Sequence, residues 1–245
     1  MNEKLALLTG ASRGIGKETA RKFAENHYDL VLTCRERKDL LEDLIYQLET
    51  EFGNKIFGFI GDLGEYSEVE RLQQELKEIT NRPFDVIVNN AGISHIGLLT
   101  DMKKEEWNQV ISSNLTSVFH ICRFFVPGMI SVQAGRIINV SSVWGNVGAS
   151  LEVAYSASKG GINAFTKALA KELAPSHICV NAIAFGAVDT EMNQFLSKQE
   201  KEALLEEIPA CRMATVREAA EMIYALAASP EYLTGQVITM DGGWT

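Results

Sequence analysis

The 245-residue chain reads as an α/β protein whose core is a doubly wound, parallel sheet of about seven strands with helices on both faces. Three observations predict this class. Short β-rich runs alternate with longer helical segments along the chain. The short runs are apolar throughout rather than every second residue, as expected of strands covered on both faces. A glycine-rich stretch stands at the first strand-to-helix junction, where a turn of that composition starts a helix close behind the strand.

Taken in order, Lys4-Leu5-Ala6-Leu7-Leu8-Thr9 predicts a strand over Leu5–Thr9, and Gly10-Ala11-Ser12-Arg13-Gly14-Ile15-Gly16 leads into a helix over Ile15–Asn26. Such a turn lets backbone approach a pyrophosphate and points a helix N-terminus at its charge. The spacing is Gly-x-x-x-Gly-x-Gly, not the commoner Gly-x-Gly-x-x-Gly. Further strands are expected at Leu30–Thr33, Ile56–Gly61, Val86–Asn89, Arg136–Ser141, Cys179–Ala184 and Val237–Met240. Between them fall helices Lys38–Phe52, Glu65–Thr80, Lys104–Val126, Val153–Ala174 and Val216–Ala228. Asn146 to Val153 and Thr190 to Pro209 interrupt the alternation, and both lie where open sheets bind ligands. The second reads as a mobile substrate lid. With no repeat, low-complexity tract or linker, residues 1–245 are expected to form a single domain.

A formal charge of −9 argues against general nucleic-acid binding, which needs a basic face, but leaves a local anion site open. No uninterrupted apolar stretch approaches the ~20 residues of a membrane span. Met1-Asn2-Glu3-Lys4 leads straight into the first strand, without room for a signal peptide, so a cytoplasmic location and no membrane partner are expected. Cys34, Cys122, Cys179 and Cys211 are scattered without metal-ligand spacing and read as reduced, mostly buried thiols; no metal site is expected.

The chemistry concentrates in Tyr155-Ser156-Ala157-Ser158-Lys159, with Ser142 thirteen residues upstream. A phenol and an amine four residues apart project from one helix face. A free phenol titrates near ~10, and a neighbouring ammonium favours its anion, so the pair could act as a general acid/base.

These residues, together with Thr9 to Gly16, Asp62-Leu63, Asn89-Asn90-Ala91-Gly92, Asn114 and Asp241-Gly242-Gly243, stand in the order and at the spacings of the short-chain dehydrogenase/reductase family. The chain resembles that family over nearly its whole length. The resemblance implies a Rossmann-type domain and an oxidoreductase acting on a ketone or alcohol. Asn114, Ser142, Tyr155 and Lys159 would be its catalytic set. Ser142 would hold the carbonyl, Tyr155 would deliver the proton, and Lys159 would lower the phenol's pKa and hold the nicotinamide ribose. Asn114 would shape its helix and hold a relay water. The cofactor would lie against Gly10, Ser12, Arg13, Gly14, Ile15 and Gly16, with Asp62 and Leu63 at the adenine. Asn90, Ala91 and Gly92 would line its path, and Gly186, Val188 and Thr190 would meet the carboxamide and pyrophosphate. Arg35 stands where an acidic residue would bind ribose hydroxyls, and with Arg13 it points to the 2′-phosphate of NADP(H). Phe185-Gly186 replaces the family's usual Pro-Gly, which should loosen the turn or place a phenyl ring near the nicotinamide.

Within the family the chain is most like 3-oxoacyl-[acyl-carrier-protein] reductases, through Asn114 to Phe119 and Tyr232 to Gln236. Met129 to Gly135, however, lacks the basic residues with which those enzymes meet their acidic carrier. Val143 to Val153 and Lys167 to Ser176 are instead similar to reductases of 5-aminopentanone-modified elongation factor P, in which Glu152 could meet a substrate ammonium and Trp144 stack over it. Glu152 could equally complement a helix dipole. A non-catalytic dinucleotide-binding regulator is the reading from another class. By analogy, a homotetramer would form through the helices Lys104–Val126 and Val153–Ala174.

Overall fold

The computed structural model describes residues 4–191 and 197–245. Seven strands form one all-parallel sheet in the order β3-β2-β1-β4-β5-β6-β7. They are β1 (Lys4–Leu8), β2 (Tyr28–Cys34), β3 (Ile56–Ile60), β4 (Val86–Asn89), β5 (Gly135–Ser142), β6 (Ile178–Phe185) and β7 (Val237–Met240). Helices cover both faces. Ala20, Phe23, Leu41, Leu44, Ala219 and Ile223, from α1 (Gly14–Glu25), α2 (Lys38–Phe52) and α9 (Val216–Ala227), bury against one. Val69, Leu72, Val118, Ile121, Ile162 and Leu173 bury against the other. They come from α3 (Tyr66–Ile79), α5 (Ser117–Val132) and α7 (Val153–Leu173). This is the doubly wound arrangement that apolar strands require.

β1 lies between β2 and β4, with Leu8 registered on both Leu32 and Val88. The chain winds outward to β3 and then returns across β1 to β4. The crevice at the carboxyl ends of β1 and β4 is therefore the switch point at which open sheets take ligands.

The boundaries depart from the sequence expectation where polar residues are buried. β2 starts at Tyr28 because Asp29 is accommodated: its Oδ1 accepts from the Lys55 amide at 3.0 Å. β5 and β6 continue through Ser142 and Phe185, which are paired with each other. The helix expected over Lys104–Val126 is two helices, α4 (Lys104–Ile111) and α5, joined by a π-helical turn at Ser112–Thr116. The same stretch, Lys104–Val132, has a mean hydropathy of 1.5 over its most apolar window, enough by composition to cross a bilayer; Ile121, Phe125 and Met129 instead pack onto the sheet. Both interruptions hold helix, α6 (Trp144–Val147) and α8 (Lys198–Glu207). The lid expected over Thr190 to Pro209 falls in part on residues 192–196, outside the described residues.

Candidate active site

One cleft of about 370 Å³ runs across the switch point, from Arg35 and Arg37 at one end to Trp144, Glu152 and Trp244 at the other. Its floor is the glycine-rich turn. Helix α1 starts there with no side-chain cap and no acidic residue in its first turn, leaving its leading amides and their dipole for an anion. A Cβ at Gly16 would strike the Gly10 carbonyl and the Asn90 side chain, so only glycine permits this close turn. The turn is fixed to β4: the Asn90 side-chain amide donates to the carbonyls of Thr9 (3.0 Å) and Gly10 (3.1 Å). Thr9 Oγ1 accepts from the amides of Asn90 and Ala91, both at 3.0 Å. Asn90 thus acts through the protein's own carbonyls rather than through a free side chain. An uncapped helix, a glycine floor and a cleft of this length fit a dinucleotide.

At the far end each arginine has a carboxylate beside it. Arg13 reaches Glu191 (2.7 Å), Arg35 reaches Glu36 (2.8 Å) and Arg37 reaches Asp39 (3.2 Å). Asp62 Oδ1 accepts from the Gly64 amide at 2.9 Å, which shapes the turn after β3. Buried His120 contacts the Leu63 carbonyl through Nδ1 at 3.0 Å, tying that turn to α5. The Thr190 side chain lies over Gly14, 3.6 Å from where a Cβ would stand. Val188 and Gly186 line the cleft beside it. Gly186 donates to the Met240 carbonyl at 3.0 Å, and the Phe185 carbonyl accepts from Val143 at 2.9 Å. The Phe185-Gly186 turn is thus held by β7 and β5 despite lacking proline, and Phe185 itself is buried.

Near the middle of the cleft Tyr155 and Ser142 line the wall together, and Ser142 Oγ accepts from the Trp144 amide at 3.2 Å. Ser141, on the alternate side of β5, donates to Asn163 Oδ1 at 2.6 Å and serves the packing of α7. Lys159 Nζ lies 5.6 Å from the Tyr155 ring centre and donates to the Val140 carbonyl at 2.8 Å, fully inside the protein. Asn114, in the π-helical turn, clamps the backbone after Gly92. Its Oδ1 accepts from the Ile93 amide (2.8 Å), and its Nδ2 donates to the Ile93 carbonyl (2.9 Å) and to Ser158 Oγ (3.0 Å). The Asn114 side chain is thus a direct tie between α7 and the end of β4. Gly92 faces both Asn114 and Lys159.

Burial pushes the Tyr155 hydroxyl up to about 12; the Ser142 hydrogen bond opposes this and the Glu152 charge adds to it. Burial also brings Lys159 down to about 8. The ammonium is turned toward Val140, so desolvation decides both groups. Tyr155 consequently keeps its proton throughout the neutral range. Burial likewise raises the Glu152 carboxyl, against a hydrogen bond from the Trp144 indole.

The model of the short chain dehydrogenase family matches residues 4–201. The chain belongs to the short-chain dehydrogenase/reductase family. It is 39% identical over 242 residues to an uncharacterized oxidoreductase, YmfI, of Bacillus subtilis, covering 98% of each chain. It is also 39% identical over 241 residues to the 3-oxoacyl-[acyl-carrier-protein] reductase FabG of Thermotoga maritima, covering 98% of this chain and 97% of that one. The crystal structure of a 3-oxoacyl-[acyl-carrier protein] reductase from Brucella melitensis superimposes with a TM-score of 0.91 at 30% identity, over 100% of this chain and 92% of that one. Members of this family are oxidoreductases that bind a nicotinamide dinucleotide and act on carbonyl or alcohol groups.

The residues singled out in this dehydrogenase's sequence largely converge. Ser12, Arg13, Ile15, Arg35, Asp62, Leu63, Ala91, Gly92, Ser142, Tyr155 and Lys159 line the cleft, as do Trp144 and Glu152. Asn114 stands behind it. Trp244 was not foreseen. It lies in the short tail after Asp241-Gly242-Gly243, where no periodicity marks a pocket residue, yet its ring meets that of Trp144 with centres 4.8 Å apart.

Lys159 provides a stability test. Its folded pKa lies below the ~10.5 of a free lysine, so the unfolded chain binds more protons between those values and stability should rise with pH across them. Lys159→Met is expected to raise the melting temperature of the cofactor-free protein. The gain should be full below about pH 8 and fade toward pH 10, as read by thermal unfolding of both proteins across that range.

Proposed function

We propose that this dehydrogenase is a single-domain, NADPH-dependent reductase that converts a ketone to a secondary alcohol, with Tyr155 as the proton donor. The observation that carries the reading is that Ser142, Tyr155 and buried Lys159, one helical turn on, line the same cleft as the uncapped α1. Bound, NADPH would supply the hydride to the carbonyl carbon. The leading amides of α1 with Gly10, Ser12 and Gly14 would hold its pyrophosphate, and Asp62 and Leu63 its adenine. Arg13 and Arg35 would exchange their carboxylate partners for the 2′-phosphate, a stronger bidentate anion. Lys159 would hold ribose hydroxyls, and Gly186, Val188 and Thr190 would shape the carboxamide end.

Ser142 Oγ holds the carbonyl oxygen and polarises it. Tyr155 gives its proton to that oxygen as negative charge develops, which its high pKa permits only because the alkoxide is a far stronger base. Charge then passes to the phenolate, where the Ser142 hydrogen bond and the Lys159 ammonium stabilise it. Asn114 keeps α7 and the Gly92–Ile93 backbone at fixed separation while this happens.

Relatives named as 3-oxoacyl-[acyl-carrier-protein] reductases support a 3-oxoacyl thioester on a carrier protein as substrate. A specific observation favours a second reading, the 5-aminopentanone group on elongation factor P: the half-buried Glu152 carboxylate lines the substrate end of the cleft together with Trp144. Exposed Phe119 and Val153, on α5 and α7, support self-association of those helices into a homotetramer.

Tyr155→Phe should cut ketone reduction by about 10²–10⁴-fold while NADPH affinity, followed by its fluorescence, changes little; substantial residual turnover would remove Tyr155 as the acid. Arg35→Ser should raise the KM for NADPH roughly tenfold and leave that for NADH nearly unchanged; equal effects on both would point to NADH. Turnover of a 3-oxoacyl carrier thioester and an aminopentanone-bearing protein, wild type against Glu152→Gln, separates the substrates. A loss confined to the amine supports the second reading, and equal loss on both excludes it.

A further inference from the structure

We propose that Trp244 is a positioning residue for specificity: the C-terminal turn seats its indole against Trp144, and so aims the Glu152 carboxylate at a primary alkylammonium on the end of the substrate remote from the ketone. This rests on the ketone-reductase reading in its amine-bearing form.

The tail that delivers Trp244 is a built turn. The Asp241 carboxylate accepts from the amides of Gly243 (2.9 Å) and Thr245 (2.8 Å) and from the Thr245 hydroxyl (3.0 Å). Gly242 and Gly243 take left-handed φ values of 70° and 86°, which reverse the chain beyond β7. The Gly242 carbonyl is tied to the Ala210 amide at 3.1 Å, behind α8. This reversal returns Trp244 to the cleft, where it meets Trp144 edge-to-face at 62°.

Trp144 opens α6, a four-residue helix with no buried residue of its own. The body of that helix is seated on α7, where Gly145 abuts the Lys159 backbone and Asn146 accepts from Asn163 (2.9 Å) and donates to Thr239 Oγ1 (3.3 Å); the Trp144 ring is the part that Trp244 meets. The sole polar atom of the Trp144 ring is its N–H, and Glu152 lines the same end of the cleft as that ring. Packing by Trp244 removes the alternative ring orientations and thereby fixes where the carboxylate sits. Among the described residues no cation pairs with Glu152. A half-buried carboxylate in a cleft that two indoles also line is a surrounding an alkylammonium prefers, through charge and through the rings.

The test compares 7-aminoheptan-2-one, whose amine is too distant to close readily on its own ketone, with its neutral isostere octan-2-one, using the full chain and saturating NADPH. Wild type should prefer the amine. Trp244→Ala should lower kcat/KM for the amine through KM, by about fivefold or more beyond any loss on octan-2-one, and Trp244→Phe should restore most of the preference. Binding of the amine to the NADPH complex of Tyr155→Phe, read by calorimetry, should weaken in parallel when Trp244→Ala is added. Equal losses on both ketones, a loss in kcat alone, or unaltered selectivity would overturn the role of Trp244. A wild type that reduces both ketones without preference would overturn this inference and the amine reading together, leaving ketone reduction intact. Failure to reduce any ketone, with NADPH bound, would overturn the reductase reading itself.

Discussion

Burying the Lys159 ammonium is the constraint around which the active-site end of the molecule is arranged. The charged form is disfavoured by loss of water, and the Val140 carbonyl returns only part of that cost. The group is tolerated because α7 is held immovably against β5. Asn139, wholly buried in β5, accepts from Asn89 of β4 at 2.9 Å and donates to Thr166 of α7 at 2.9 Å. Ser141 and Asn163 repeat the tie one turn nearer the site. Gly145 completes the seat from α6, since a side chain there would press into the Lys159 backbone. Stability is given up at one point, and a polar frame around it keeps the geometry.

Burial also raises the half-buried Tyr155 phenol. In the proposed mechanism its proton moves only as charge develops on the carbonyl oxygen. The Ser142 hydroxyl and the nearby ammonium would then stabilise the phenolate. Preorganisation of this kind favours a charge distribution absent in the resting site.

Much of this was legible in the chain itself. The continuous apolar runs gave all seven strands, and the glycine turn with Tyr155, Lys159 and Ser142 gave the cleft its two working ends. Boundaries were less legible where polar residues are buried with partners distant in sequence. Asp29 conceals the start of β2 until Lys55 is seen beside it. Asn114 conceals a π-helical turn inside what reads as one long helix, because its partners Ile93 and Ser158 lie 21 and 44 residues away.

Sequence by itself determined the fold class, the family and the identity of the chemical groups. These depend on short-range pattern: apolar runs, a turn that only glycine can make, and a phenol and an amine on one helical face. Tertiary structure alone decided which way each group is biased and what surrounds the substrate. The Lys159 ammonium turns to a strand carbonyl, Asn90 holds the glycine turn, and Trp244 comes back from the tail to meet Trp144. Each of these is a contact between elements far apart along the chain, and desolvation and ring packing exist only once those elements meet.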